Sequence, residues 1–246
     1  MSAWQRRKYV HNPATSRFFS APSVRRTTSM LEVSSLSGIE LFKHLPDSCL
    51  ETLEKDSNVL NCSAGHLFFQ PEQTGRVLFV LETGSVRTFR MYGNRKLTIA
   101  VLQPPAIFGV LGCFGQGKYL SSAEAIEDSR VRMISRDSIQ SLLECAPHVT
   151  HRFVDLMSER CVHFLRRMEI LARKGLIPRL ATLLLEKAVN GVVAGVTHKA
   201  LADYLGLHRE SITATLGELR RAGIITIERK TIRILHRERL QRAAQE

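Results

Sequence analysis

The stretch GLHRESITATLGELRRAG (Gly206–Gly223), read with VTHKALADYL (Val196–Leu205) before it and IITIERKTIRIL (Ile224–Leu235) after it, decides the fold. Two helical segments meet at Gly206. A tight turn between helices needs a residue that adopts positive φ without a Cβ clash, and a small residue where the helices cross. Gly206 and Ala202 meet those two needs, while Leu201, Leu205, Leu207, Ile212 and Leu216 offer the apolar contacts. Beyond Gly223, Ile225 and Ile227 and then Ile232 and Ile234 alternate on either side of a short turn, the period-2 pattern of a β-hairpin. The spacing predicts a winged helix-turn-helix over residues 176–246.

A helix-turn-helix presents the N-terminal residues of its second helix to base edges in the major groove. Arg209 can pair bidentately with guanine, and Glu210 can accept from the amino group of cytosine. Ser211 and Thr213 can hold phosphates or touch a thymine methyl, and Thr197, His198 and Lys199 stand where the first helix grips the backbone. Lys230, at the hairpin tip, adds a further cation. The alternative is a surface ion pair between Arg209 and Glu210.

Charge distribution suggests either a polyanionic partner or a solvated basic face. The net charge is +12, and residues 176–246 carry 12 basic against 7 acidic side chains, whereas residues 31–175 are nearly balanced at 17 and 16. Residues 1–30 hold six Lys/Arg and no acid. That segment lacks the apolar core of a secretory signal and reads as a basic arm, a targeting segment or a misassigned start. No window approaches a membrane span. Five cysteines without a C-x-x-C pair suggest reduced thiols in a cytoplasm and neither a metal site nor a cofactor.

Upstream, residues 58–131 show short apolar runs separated by glycines. Val77, Phe79 and Leu81 fall on one face and Leu97, Ile99 and Val101 on another, which predicts an antiparallel β-roll within residues 31–146. IELFKHLPDSCLETLEK reads as short helices packed on it. Pro147 then opens a run free of glycine and proline up to Gly175, predicting one helix of about 40 Å over 147–175. Val154, Met157, Cys161, Phe164, Met168 and Leu171 recur every 3.5 residues, the seam of a parallel dimer, the alternative being one amphipathic helix lying on its own domain's core. Glu159, Arg160, Arg166 and Arg167 are expected on the charged faces. The class is α+β.

From about residue 36 onward these features resemble the family of the cyclic-AMP receptor protein and the fumarate-nitrate-reduction regulator. The resemblance is carried by IFGVLGCFGQG at the end of the roll, the long helix, and the L-G-x-x-R-E-S segment followed by G-I-I. It implies a homodimeric transcription regulator that binds palindromic sites, with RNA polymerase as a further partner. Arg209 and Glu210 match the family's base-reading pair. Ala214 stands where a second base-reading arginine is usual, so an altered half-site is expected, and His208 replaces the usual capping Ser or Thr.

For the signal, the resemblance implies less. The positions that hold the ribose and phosphate of cyclic AMP are Val110, Leu120 and Ser121 here, and Phe164 and Leu165 replace the pair that meets adenine, so cyclic AMP in the usual mode is not expected. The nitrogen-control regulator of cyanobacteria shares Phe108, Gly109, Val110 and Leu111 and an arginine matched by Arg160, but its second carboxylate-binding arginine falls on Ser121 or Leu120. A smaller anion, a different ligand with Lys118 substituting, or no effector at all are the open readings. Two rival functions stand beside this one: a protein-binding sensor that ignores DNA, and a nucleotide hydrolase through Gly112–Lys118, whose G-x-x-x-x-G-K is followed by Tyr119 where magnesium ligation needs Ser or Thr.

Overall fold

Why the chain forms a roll is clearest in its third strand, buried on both faces. The computed structural model describes residues 36–245 apart from Gln116, and the expected basic arm at residues 1–30 lies outside them. A 3-10 turn at Glu40–Phe42 and helix α1 (Asp47–Lys55) lead into strands β1 (Asn58–Cys62), β2 (Leu67–Phe69), β3 (Val77–Thr83), β4 (Val86–Tyr92), β5 (Arg95–Leu102) and β6 (Ala106–Phe108). A one-turn helix α2 (Val110–Phe114) precedes β7 (Ser122–Ala125) and β8 (Ser129–Ser135). Two four-stranded antiparallel sheets result, ordered β1-β8-β3-β6 and β2-β7-β4-β5.

Alternation along β3 divides its side chains between two cores. Phe79 and Leu81 point between the sheets, where they meet Phe69, Val86, Phe108 and Tyr119. Leu78 and Val80 point outward to α1 and to helix α3 (Arg136–Cys145), which follows β8. The sequence predicted one apolar face here, and the helices on the outer side are what bury the other. The Leu97, Ile99 and Val101 face is a correction of the opposite kind: Val101 is exposed, and Thr98 between them is the buried residue of β5. A bulge between Thr88 and Phe89 shifts the β4–β5 pairing. Gly84 closes the β3–β4 turn at φ +88°, and a Cβ there would lie 2.3 Å from Ser129 Oγ, so only glycine fits.

Helix α4 (His148–Ala172) runs unbroken for 25 residues from Pro147. Its two ends belong to different cores. Val149 and Phe153 join the core that includes the 3-10 turn and α3, with Phe153 edge-on to Phe114 and Met157 beside them, whereas Ile170 and Leu171 pack on the C-terminal helices. Of the expected seam, Met157 and Leu171 are half-buried against these two cores. The apolar side chains left exposed are Val154, Val162, Phe164, Leu165 and Met168, with Cys161 exposed among them, a stripe turned toward Leu165. Arg160 and Arg167, expected on solvated faces, turn inward instead. Arg167 stacks on the Tyr204 ring at 3.9 Å and is buried.

Helix α5 (Leu176–Lys187), strand β9 (Val192–Ala194), helices α6 (His198–Leu205) and α7 (Arg209–Arg221), strands β10 (Ile225–Glu228) and β11 (Thr231–Ile234) and helix α8 (Arg237–Ala243) complete the chain. Ile225 pairs with Ile234 and Ile227 with Ile232, as their alternation predicts, and β9 joins the edge of β11 as a third strand. Leu180, Leu183, Leu184, Leu201, Ile212 and Leu216 form the sealed core beneath α6 and α7. No helix among the described residues is long and apolar enough to cross a membrane.

Candidate nucleic-acid interface

The turn between α6 and α7 is made by local chemistry. Thr197 opens α6 by accepting the Ala200 N–H on its Oγ1 at 3.0 Å. Gly206 closes it at φ +67°, and the Leu207 N–H returns to the Ala202 carbonyl at 2.9 Å. Ala202 is fully buried at the crossing, and a larger side chain there would separate the helices. Helix α7 starts differently. His208 makes no capping bond, so the first amides of α7 have no side-chain acceptor and are free to meet an external anion.

Burial divides α7 sharply. Ile212, Thr215, Leu216 and Leu219 are buried, while Arg209, Glu210, Ser211, Thr213 and Ala214 are exposed. Thr213 Oγ1 donates to the Arg209 carbonyl at 2.9 Å and meets His198 Nδ1 at 2.9 Å. Since the hydroxyl has one hydrogen, His198 must then donate from Nδ1 and keep Nε2 as its acceptor. Thr197, His198, Lys199, Arg209 and Lys230 line one groove of about 450 Å³ between α6, α7 and the β10–β11 hairpin. Ser211 and Glu210 lie outside its walls. Lys230 itself sits at φ +56°, a left-handed turn position at the hairpin tip.

One more small residue completes the outward face. A Cβ built on Gly217 meets no atom within 4 Å, so neither space nor backbone conformation calls for glycine. Gly217→Ala is expected to stabilise the protein by roughly 0.5–1 kcal/mol through helix propensity, seen as a rise in melting temperature. A simultaneous loss of DNA affinity would mean that this face lies close against the duplex.

Sequence reasoning missed the residues that hold this interface to the roll. Asp203, only 2% exposed on α6, binds Lys199 at 2.8 Å and Arg87 of β4 at 3.1 Å. Arg87 also pairs with Glu124 of β7, which Lys96 of β5 binds at 2.8 Å. Burial alone would raise the Glu124 carboxyl, but the hydrogen bonds from Lys96 and Arg87 outweigh it and hold the group below its ordinary value. Leu97, expected on one apolar face of the roll, abuts the helix-turn-helix turn: a Cβ on Gly206 would meet its Cδ1 at 3.1 Å. The only sequence signal was an acid four residues after Lys199, which periodicity reads as an ordinary helix pair.

The expected effector residues are placed less uniformly. Phe108 and Val110 are buried core, Gly109 precedes α2 at φ +81°, and Leu111 is exposed. Arg160 donates to the Ile107 carbonyl, beside Phe108, and burial lowers its pKa. Lys118 is turned away to Glu72 at 3.1 Å on an exposed surface. The same region overturns the nucleotide-hydrolase reading. Gly112 lies within α2, Lys118 forms an isolated antiparallel bridge with Thr74, and Tyr119 stacks on Phe69 in the core, leading to a strand where a phosphate loop needs a helix.

Comparison with known proteins follows the same division of the chain. Residues 59–145 match the cyclic nucleotide-binding domain, and residues 178–243 match the Crp-like helix-turn-helix domain. The chain is 26% identical over 225 residues to the CRP-like cAMP-activated global transcriptional regulator of Mycobacterium tuberculosis, covering 87% of this chain and 100% of that protein. It is 25% identical over 197 residues to the global nitrogen regulator of Nostoc, covering 75% and 84%. A solved transcriptional regulator of the CRP/FNR family from Thermus thermophilus is similar with a TM-score of 0.57 and 27% identity, over 77% of this chain and 99% of that one.

Proposed function

The chain belongs to the family of the cyclic-AMP receptor protein and the fumarate-nitrate-reduction regulator, DNA-binding transcription regulators and not enzymes, and from that premise we propose that it acts in the cytoplasm as a homodimer on a two-fold symmetric site. The observation that carries this reading is the single groove joining Thr197, His198, Lys199 and Arg209 to the wing residue Lys230. Base reading falls to Arg209 and Glu210 at the uncapped start of α7, and backbone contacts to Thr197, Lys199 and Lys230, with Ser211 at the flank. The exposed stripe of α4 pairs the two copies, which sets half-sites one helical turn apart. RNA polymerase is the further partner this role calls for.

An effector-independent form is favoured over a small-anion sensor. Both cations that would receive an anion are already engaged, Lys118 by Glu72 and Arg160 by the Ile107 carbonyl. Freeing either to bind an anion costs the bond it now makes.

Selection of bound duplexes from a random pool tests this reading directly. Arg209→Ala is expected to lose roughly 1–3 kcal/mol of discrimination at one guanine per half-site. Lys199→Ala should instead weaken all sequences alike and lower the salt slope by about one. Salt-insensitive binding without sequence preference would favour a protein-binding sensor.

A further inference from the structure

Of the five cysteines, two that are 96 positions apart in the sequence meet at one spot. Cys49, in the first turn of α1, and Cys145, the last residue of α3, hold their sulfur atoms 3.2 Å apart. Both are free thiols; Cys145 is exposed and Cys49 partly buried. No metal-binding cluster of His, Cys, Asp or Glu occurs among the described residues, so the pair has no third ligand to make it a metal site. Cys62 and Cys113 are elsewhere: Cys62 Sγ faces the Ser129 carbonyl, and Cys113 is sealed in the core with its thiol pushed up to about 11 by burial.

We propose that Cys49 and Cys145 form a two-thiol site that reacts with hydroperoxides and closes to an intramolecular disulfide. The exposed Cys145 sulfur, as thiolate, attacks the outer oxygen of the hydroperoxide. The O–O bond breaks, an alcohol leaves after protonation, and Cys145 becomes a sulfenic acid. Cys49 then gives up its proton, its sulfur attacks the Cys145 sulfur, and water departs. In sum, two thiols and one hydroperoxide yield one disulfide, one alcohol and one water, with two electrons passing from sulfur to oxygen. The order follows from the geometry, since the oxidant reaches Cys145 first and Cys49 is already at contact distance to resolve it. The hydrogen bond with Cys145, aided by burial, raises the Cys49 pKa, so that Cys49 keeps its proton until the second step.

The position gives such a bond leverage. Cys145 is followed by Ala146, which is buried and accepts the Val149 N–H at 3.0 Å, the elbow from which α4 departs. Tying α1 to that elbow closes a loop of nearly a hundred residues, which constrains the unfolded chain strongly.

The test uses the full chain, treated with stoichiometric hydrogen peroxide under native conditions and mapped by peptide mass spectrometry without reduction. The expected product is a Cys49–Cys145 linked peptide lighter by two hydrogens, formed before modification of Cys62 or Cys161 and reversed by dithiothreitol. Oxidation should also raise the melting temperature by several degrees. Cys49→Ser should instead accumulate a sulfenic acid at Cys145 that dimedone traps, and Cys145→Ser should leave Cys49 reduced. Either a link between two copies through Cys161 as the first product, or equal oxidation of all exposed thiols, would overturn the proposal. Correct folding of both variants is read from unchanged circular dichroism, since serine replaces each thiol with little change of volume.

Discussion

Phe164→Asp combined with Leu165→Asp is expected to convert the protein to monomers and to weaken binding to a full palindromic site by about a thousandfold. Both side chains are more than half exposed in the single chain, 57% and 59%, so they contribute little to its own core. They lie with Val154, Val162 and Met168 on a helix of 25 residues whose opposite side is already buried against two cores. An exposed apolar stripe of that extent on a helix marks an interface. In the proposed dimer, two charges placed in it would face two more from the partner, and burying them there is costly. A dimer holds its second recognition helix at high effective concentration over the second half-site, an advantage worth about 10²- to 10⁴-fold. Sedimentation and gel shift on full sites and half-sites check the result. A monomeric variant that kept full-site affinity would show that α4 is not what joins the two reading helices.

Arg87→Met is expected to cost about 3 kcal/mol of stability and to loosen α6 from the roll. Asp203, Glu124 and Arg87 are all largely buried, and removing the one cation shared by both carboxylates leaves charge with too few partners. Lys199 and Lys96 would each retain one of the acids, which is why the loss should stay below that of an isolated buried charge. The pH dependence discriminates this from a simple packing defect. The Glu124 carboxyl lies below its ordinary value of 4.5 in the folded chain, so its contribution is fully present above that value and is lost as pH falls through the lower folded value. Urea unfolding between about pH 3 and 6 should therefore show a shallower pH dependence in the variant than in the parent. An unchanged pH profile would mean that Lys96 alone holds the carboxylate. A double-mutant cycle with Asp203→Asn measures how much of the coupling crosses from roll to reading helix.

Particular elements show what is legible in the sequence. Gly206, Ala202 and the paired isoleucines around residues 225–234 report local requirements, a left-handed turn, a close crossing and a period-2 face, and each is satisfied where the pattern placed it. Arg209, Lys199 and Lys230 line one groove because a helix-turn-helix positions its groove residues by its own geometry. Local pattern was a poorer guide where two layers compete for one residue. Strand β3 was read as single-faced because alternation alone cannot register helices packed on its other side. Met157 and Leu171 fit the 3.5-residue repeat as well as Phe164 does, yet each also packs in part against a core at its own end of α4.

The determinants of the reading head were thus in the sequence itself: where the turn falls, which helix faces outward, and where the wing folds back. They could be read there because turns, caps and amphipathic faces are set by residues within one or two helical turns of each other. The attachment of that head to the roll was decided only by the tertiary structure, through Asp203 meeting Arg87 across 116 positions and Leu97 abutting Gly206. So was the meeting of Cys49 with Cys145. Contacts between charges or sulfurs that distant carry no periodicity. They exist because packing brings two surfaces together, and buried charges must then find partners or leave.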